Sequence, residues 1–176
     1  KTTCVKGKTR FLTGGPGGLG RAIRIKAASD GANVAFAAKT VEPHSQLEGT
    51  IHSAAAVIEK AGCHARPLAV DGRDEAAVKD ALDKTAARFG GIDIVINNAG
   101  ILRDRSFAKM EPADLDQVLD VHLRGAFHVS QPAFRHMKEK GYGRYLFTSS
   151  AAGLFGNFGQ PHYGRAQLGL GGLPDV

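Results

Sequence analysis

Thr9-Arg-Phe-Leu-Thr13-Gly-Gly-Pro-Gly-Gly-Leu-Gly20 reads as a short apolar strand running into a glycine-rich turn. Gly18 to Ser29 then takes on helical spacing, with Leu19, Ile23 and Ala27 expected along one face. Glycines in such a turn let the backbone approach a phosphate closely. The helix N-terminus behind them offers free N–H groups and positive potential. A glycine-rich turn alone is also compatible with a tight turn that binds nothing. The strand before it and the helix after it favour phosphate binding.

Working outward, short apolar runs alternate with helical patterns, which is the signature of parallel βαβ units. Strands are expected at Asn33 to Ala38, Ala65 to Val70, Ile92 to Ile96 and Arg144 to Thr148. Helices are expected at Thr50 to Ala61 and at Asp74 to Phe89, the latter with Ala77, Val78, Ala81, Leu82 and Thr85 inward. Pro112 suits the first turn of a long helix. Its expected stripe is Leu115, Leu119, His122, Ala126, Ser130 and Ala133, and Pro132 is expected to kink the helix or end it early. The fold class is therefore α/β, a doubly wound parallel sheet of the Rossmann kind with helices on both faces, forming a single domain over residues 1–176.

Composition narrows the function. At 176 residues, 43% hydrophobic and 23% charged, the chain has the balance of an ordinary globular domain. The formal charge of +6 is spread among acidic residues without a dense basic run, so no nucleic-acid partner is expected. Cys4 and Cys63 have neither metal-ligand nor disulfide-framework spacing, so no metal site is expected. No apolar run approaches the ~18 residues of a membrane span, and no secretory leader or membrane partner is expected. Reduced thiols fit a cytoplasmic location, with the matrix of a peroxisome or mitochondrion as the alternative.

Four ordered stretches carry the chemistry. Thr13-Gly14, Gly18 and Gly20 give the spacing Thr-Gly-x-x-x-Gly-x-Gly. Asn97-Asn98-Ala99-Gly100 ends the fourth strand, and strand C-terminal ends are where ligands bind in open α/β sheets. Asp71 ends the third strand. Ser150 stands thirteen residues before Tyr163, and Gln167 stands four after it. Together these closely resemble the short-chain dehydrogenase/reductase family over nearly the whole chain.

The resemblance implies an NAD or NADP cofactor. Gly14, Pro16, Gly17, Gly18, Leu19 and Gly20 would line its phosphates, Asn98, Ala99 and Gly100 the adenine-ribose side, and Asp71 the adenine. Gly72 replaces the hydrophobic neighbour usual beside that aspartate. Lys39 ends the second strand where an acidic residue would favour a free ribose 2′-hydroxyl, so the cofactor leans to NADP; the bland alternative is a solvated lysine. In the family the counterpart of Tyr163 transfers a proton, that of Ser150 bonds the substrate oxygen, and Tyr163 also faces the cofactor. The partner so implied is a small-molecule alcohol or ketone, and family members are homo-oligomers.

The family carries a lysine where this chain has Gln167. Free tyrosine has a pKa of about 10, and a lysine one turn on favours the phenolate. At ~4 Å with an effective dielectric near 20 that attraction is on the order of 4 kcal/mol. Glutamine supplies hydrogen bonds but no charge. Arg165 is expected on the opposite side of the helix. His122 stands where many members carry a relay asparagine; it is either a site-facing residue or a packed core histidine.

Residues 99–160, with Val121-His-Leu-Arg-Gly125 and Gly156-Asn-Phe-Gly-Gln160, resemble the 3-hydroxyacyl-CoA dehydrogenase branch of type 2 multifunctional enzymes. Residues 37–53 resemble hydroxysteroid-dehydrogenase-like proteins and related terpenoid-alcohol dehydrogenases. Glycines and Pro174 are expected to weaken the helix beyond Leu168. The resemblance implies that a sixth strand and a substrate lid would follow, so the fifth strand is expected to be an exposed edge. Two functions stand: an NAD(P)-dependent oxidoreductase for a secondary alcohol or ketone, of the 3-hydroxyacyl-CoA or steroid/terpenoid kind, or a catalytically silent nucleotide-binding fragment or pseudoenzyme.

Overall fold

The computed structural model describes residues 5–14, 17–39, 41, 50–60 and 63–175. Cys4, Pro16, Thr40 and residues 42–49 of the 37–53 segment lie outside them. Five parallel strands form one sheet: β1 (Thr9–Thr13), β2 (Asn33–Ala38), β3 (Ala65–Ala69), β4 (Ile94–Asn97) and β5 (Arg144–Phe147), in the order β3-β2-β1-β4-β5. Strand alternation sends successive residues to opposite faces. Phe11, Ala35, Ala37 and Val95 join one core; Leu12, Val34, Phe36, Ala38 and Ile96 join the other. Helices α1 (Gly18–Ser29) and α2 (Ile51–Lys60) cover the second core. The first is covered by α3 (Glu75–Phe89) and by α5 (Gly125–Lys140), which continues from α4 (Pro112–Leu119).

Local chemistry accounts for the helix ends. The Asp74 carboxylate accepts the Ala77 N–H at 3.0 Å, and Gly90 closes α3 in the left-handed region at φ 76°. Glu111 and Asp114 form a reciprocal capping pair, with Pro112 in the first turn of α4.

Three expectations differ from the structure. In α1 the buried face is Gly20, Arg24, Ala27 and Ala28, while Leu19 in the opening turn is 66% exposed. The aliphatic stem of Arg24 is buried and its guanidinium sits 4.7 Å from the Phe36 ring, with burial pushing it down to about 10. In the long helix the buried stripe is Asp114, Val118, His122, Ala126, Val129, Ala133 and Met137, leaving Leu115, Leu119 and Ser130 only half-buried. The cause is a π turn at Asp120–Arg124, where the Gly125 N–H bonds Asp120 O and the helix phase shifts. Pro132 does not end the helix, which runs to Lys140 and stops at Gly141. Val129, Ala133 and Met137 bury around it, and that packing outweighs one lost backbone bond.

Beyond β5, α6 (Ala151–Phe155) and α7 (Pro161–Gly169) pack on each other. Helix α7 gives way at Leu170 to a 3₁₀ segment reaching Asp175, consistent with its weak sequence. Among the described residues, strand β5 pairs only with β4 and forms the sheet edge, where Leu146 is 53% exposed.

Candidate functional site

A cavity of about 440 Å³ opens where the strand order reverses, at the C-terminal ends of the strands. Thr13 and Gly14 line it after β1, Lys39 after β2, Asp71 and Gly72 after β3, Ala99 and Gly100 after β4, and His122 from the π turn. The glycine loop and the β4 exit are built as one unit. The Thr13 hydroxyl accepts from the Asn98 and Ala99 N–H groups, both at 3.1 Å, and the Asn98 amide donates to Thr13 O at 3.2 Å. Gly14 adopts φ 116°, and a Cβ there would lie 2.7 Å from the Asn98 amide nitrogen. No side chain fits between the two loops. Gly17 caps α1 without a side chain, Gly18 has φ 55°, and Gly20 is buried beneath them. Pro16 lies outside the described residues.

At the far end of the cavity three charges cluster. Asp71 accepts from Arg73, with its Oδ2 2.7 Å from Nη2, and pairs with Lys39 Nζ at 2.8 Å. The Arg73 hydrogen bonds, opposed by burial and assisted by Lys39, hold this carboxyl far below the usual carboxylate range. Lys39 is therefore an ion-pair partner rather than a freely solvated lysine, though its side chain stays 56% exposed. The carbonyl of Gly72 lies 3.3 Å from His128 Nδ1, tying the loop after β3 to α5.

At the near end, three of the expected residues converge. His122 is 7% exposed, and its Nε2 lies 3.0 Å from the Ile101 N and 2.9 Å from the Ile101 O. Its Nδ1 lies 2.9 Å from the Gln167 Nε2. Gln167 is 3% exposed, and its Oε1 has no partner among the described residues. Two arrangements satisfy these contacts: with the Gln167 amide donating to Nδ1, His122 carries its proton on Nε2 and donates to Ile101 O; with the amide turned over, Nδ1–H donates to Gln167 Oε1 and Nε2 accepts the Ile101 N–H. Burial pushes His122 down, the Ile101 bond pulls it partly back, and His162 adds to the lowering. The imidazole is therefore neutral at pH 7. Its ring meets the Tyr163 ring edge-on, at 5.2 Å and 80°. Gly100 is required by this packing, because a Cβ would fall 2.5 Å from His122 Cε1.

Ser150 is not drawn into that cluster. Its hydroxyl caps α6 by accepting the Ala152 N–H at 3.2 Å, and no hydrogen bond among the described residues joins it to Tyr163. Its own O–H remains available as a donor. Gly17, Gly18, Leu19, Gly20, Asn98, Ser150, Tyr163 and Gln167 are not among the residues that line the cavity. Arg165 is exposed, on the side of α7 away from buried Gln167.

Sequence reasoning passed over His162, which is 1% exposed and bonds both the Tyr163 N–H and the Arg103 carbonyl. Its one signal was its place directly before Tyr163. Nor did the sequence mark the π turn that presents His122.

A family model described as short chain dehydrogenase matches residues 8–175. The chain is 43% identical to peroxisomal multifunctional enzyme type 2 of Mus musculus over 95% of its own length and 23% of the relative's. It is 45% identical to hydroxysteroid dehydrogenase-like protein 2 of Danio rerio over 74% of this chain and 32% of that one. A crystal structure of NAD⁺-bound xylitol dehydrogenase superposes with a TM-score of 0.89 at 29% identity, covering 98% of this chain and 64% of that one. The chain thus spans less than two fifths of the length of the curated relatives it matches.

Proposed function

Because the chain belongs to the short chain dehydrogenase family, we propose that it is an NAD(P)-dependent oxidoreductase interconverting a secondary alcohol and a ketone. The observation that carries this reading is the cavity itself. It lies at the sheet's switch point, lined by Gly14, where no side chain fits, and by His122, which contacts Tyr163 and Gln167. Its volume falls in the range of small-ligand sites. The residues fit a dinucleotide: Gly14 to Gly20 and the start of α1 would hold the pyrophosphate, and Asn98 to Gly100 the ribose beside it. The exposed Leu19 would be covered by the same ligand.

The nicotinamide, when bound, supplies or accepts the hydride. The chain's own part is the proton: Tyr163 would exchange it with the substrate oxygen, and Ser150 would donate its free O–H to that oxygen. His122, edge-on to Tyr163, packs against its ring. The ligand is read as NADP, because Lys39 and Arg73 share one carboxylate and leave a net positive charge where a 2′-phosphate would lie. The substrate is read as a 3-hydroxyacyl thioester or a steroid- or terpenoid-like alcohol: the name of one relative supports the steroid class, and the motif resemblances of residues 99–160 and 37–53 support the others. The peroxisomal relatives make a peroxisomal location the first to examine.

A second reading, dinucleotide binding without turnover, is favoured by Gln167. It places a buried, uncharged amide where a cation would favour the phenolate. One experiment separates the two: calorimetric titration of NAD and NADP beside turnover of a 3-hydroxyacyl-CoA and a panel of steroid and terpenoid alcohols. Binding with turnover selects the oxidoreductase. Binding without it selects the silent form, and absence of binding overturns both. Tighter binding of NAD than NADP overturns the role given to Lys39.

A further inference from the structure

Residues 101–105 leave β4 and cross in front of α7, held there by side chains from two directions. His122 grips Ile101 at one end. His162 grips the Arg103 carbonyl at 2.9 Å, the Gln160 amide donates to Asp104 Oδ2 at 2.8 Å, and the Arg105 N–H donates to Gly159 O at 3.0 Å. Ile101 and Arg103 are two apart, so in an extended segment their side chains share a face. The Tyr163 ring stands beside the first of these histidines and its backbone beside the second.

His162 has no freedom in how it bonds. The Tyr163 N–H is only a donor, so Nδ1, 2.8 Å away, must accept. The Arg103 carbonyl is only an acceptor, so Nε2 must carry the proton. Rotating the ring by 180° would place carbons at both positions and leave two backbone groups unsatisfied. The imidazole is 1% exposed, and an apolar side chain would fill the same volume without either bond.

We propose that His162 is a positioning residue for Tyr163. It ties the first turn of α7, at the peptide of Tyr163 itself, to the wall formed by residues 101–105. This holds the Tyr163 ring edge-on to His122. The proposal rests on the reading of Tyr163 as the proton-transfer group, but it concerns geometry that exists without ligand.

The test uses the ligand-free protein. The Tyr163 ring imposes a ring-current shift on the His122 ring protons, which proton NMR reads, and a Tyr163→Leu variant gives their position without it. Expected for His162→Leu is a folded protein, shown by a cooperative urea transition, whose His122 signals move most of the way to those of Tyr163→Leu. His162→Asn keeps an acceptor near the Tyr163 N–H but does not reach the Arg103 carbonyl, so it breaks the tie and is expected to lose most of the wild-type shift. His162→Gln moves its polar atoms one carbon further out and is expected to lose it. If His162→Leu does not fold, the Asn and Gln variants decide alone. Wild-type His122 signals in folded His162→Leu, or in both Asn and Gln variants, overturn the proposal. Failure of the cofactor titration would overturn the function proposed above and leave this result standing.

Discussion

Replacing Gln167 by lysine tests the reasoning about the site most directly. The side chain at 167 is 3% exposed, one helical turn from Tyr163, with its terminal nitrogen 2.9 Å from His122 Nδ1. An ammonium ~4 Å from a forming phenolate is worth on the order of 4 kcal/mol at an effective dielectric near 20. At 1.36 kcal/mol per decade that is an upper bound of roughly a thousandfold in rate. Burying the ammonium opposes this, because its desolvation is worth several kcal/mol unless it is paired. His122 Nδ1, neutral and able to accept, recovers about 1.5–3 kcal/mol of that. The expected outcome for Gln167→Lys is kcat raised on the order of a hundredfold. A stability loss of about 1–3 kcal/mol accompanies it in the ligand-free protein. Turnover is followed by nicotinamide absorbance, and stability by urea denaturation on the same samples. Equal turnover by a folded Gln167→Lys variant and the parent chain would refute the argument that charge is what position 167 lacks.

Two further outcomes follow from the packing. Gly164→Ala brings a Cβ to 2.8 Å from Ala152 O, and Gly153→Ala brings one to 2.9 Å from Leu168 N, so backbone meets backbone between α6 and α7. Each is expected to destabilise by about 1–3 kcal/mol in urea denaturation, and unchanged stability would show that the two helices separate freely. Asp93, 1% exposed, sits 2.8 Å from Lys140 Nζ and accepts the Thr9 N–H at 2.8 Å. Burial pushes its carboxyl up, while Lys140, the Thr9 N–H and Lys8 together push it further down, so it ends below the ordinary value. A carboxyl depressed on folding stabilises above its unfolded pKa of ~4 and loses that contribution as pH falls through the folded value. Asp93→Asn is expected to lower stability at pH 7 and to flatten its decline below pH ~4; a decline equal to wild type would exclude Asp93 as the source.

The fold was legible because its signals are local. A strand buried on both faces is apolar at successive residues, as at Val34 to Ala38, and a glycine turn between strand and helix needs no distant partner to be recognised. The Asp74 cap and the Pro112 start are local as well. The helix phase was not legible at α4 and α5. One π turn rotates every residue after it, and periodicity reasoning assumes a constant angle per residue. In α1 the packed face begins at Gly20, whose neighbour Leu19 stays exposed, an offset that apolar spacing does not reveal.

For the site, the order of Thr13, Asn97, Ser150, Tyr163 and Gln167 along the chain was enough to recognise the family and to see that a charge is missing. What position 167 does instead required the fold. His122 and Gln167 lie 45 residues apart, Arg103 and His162 59 apart. Lys39 looked like a lone cation until the loop after β3 brought Asp71 to it. Residue types and local spacing are written in the chain. Which buried donor meets which acceptor depends on how helices dock on the sheet, and neither type nor spacing encodes that distance.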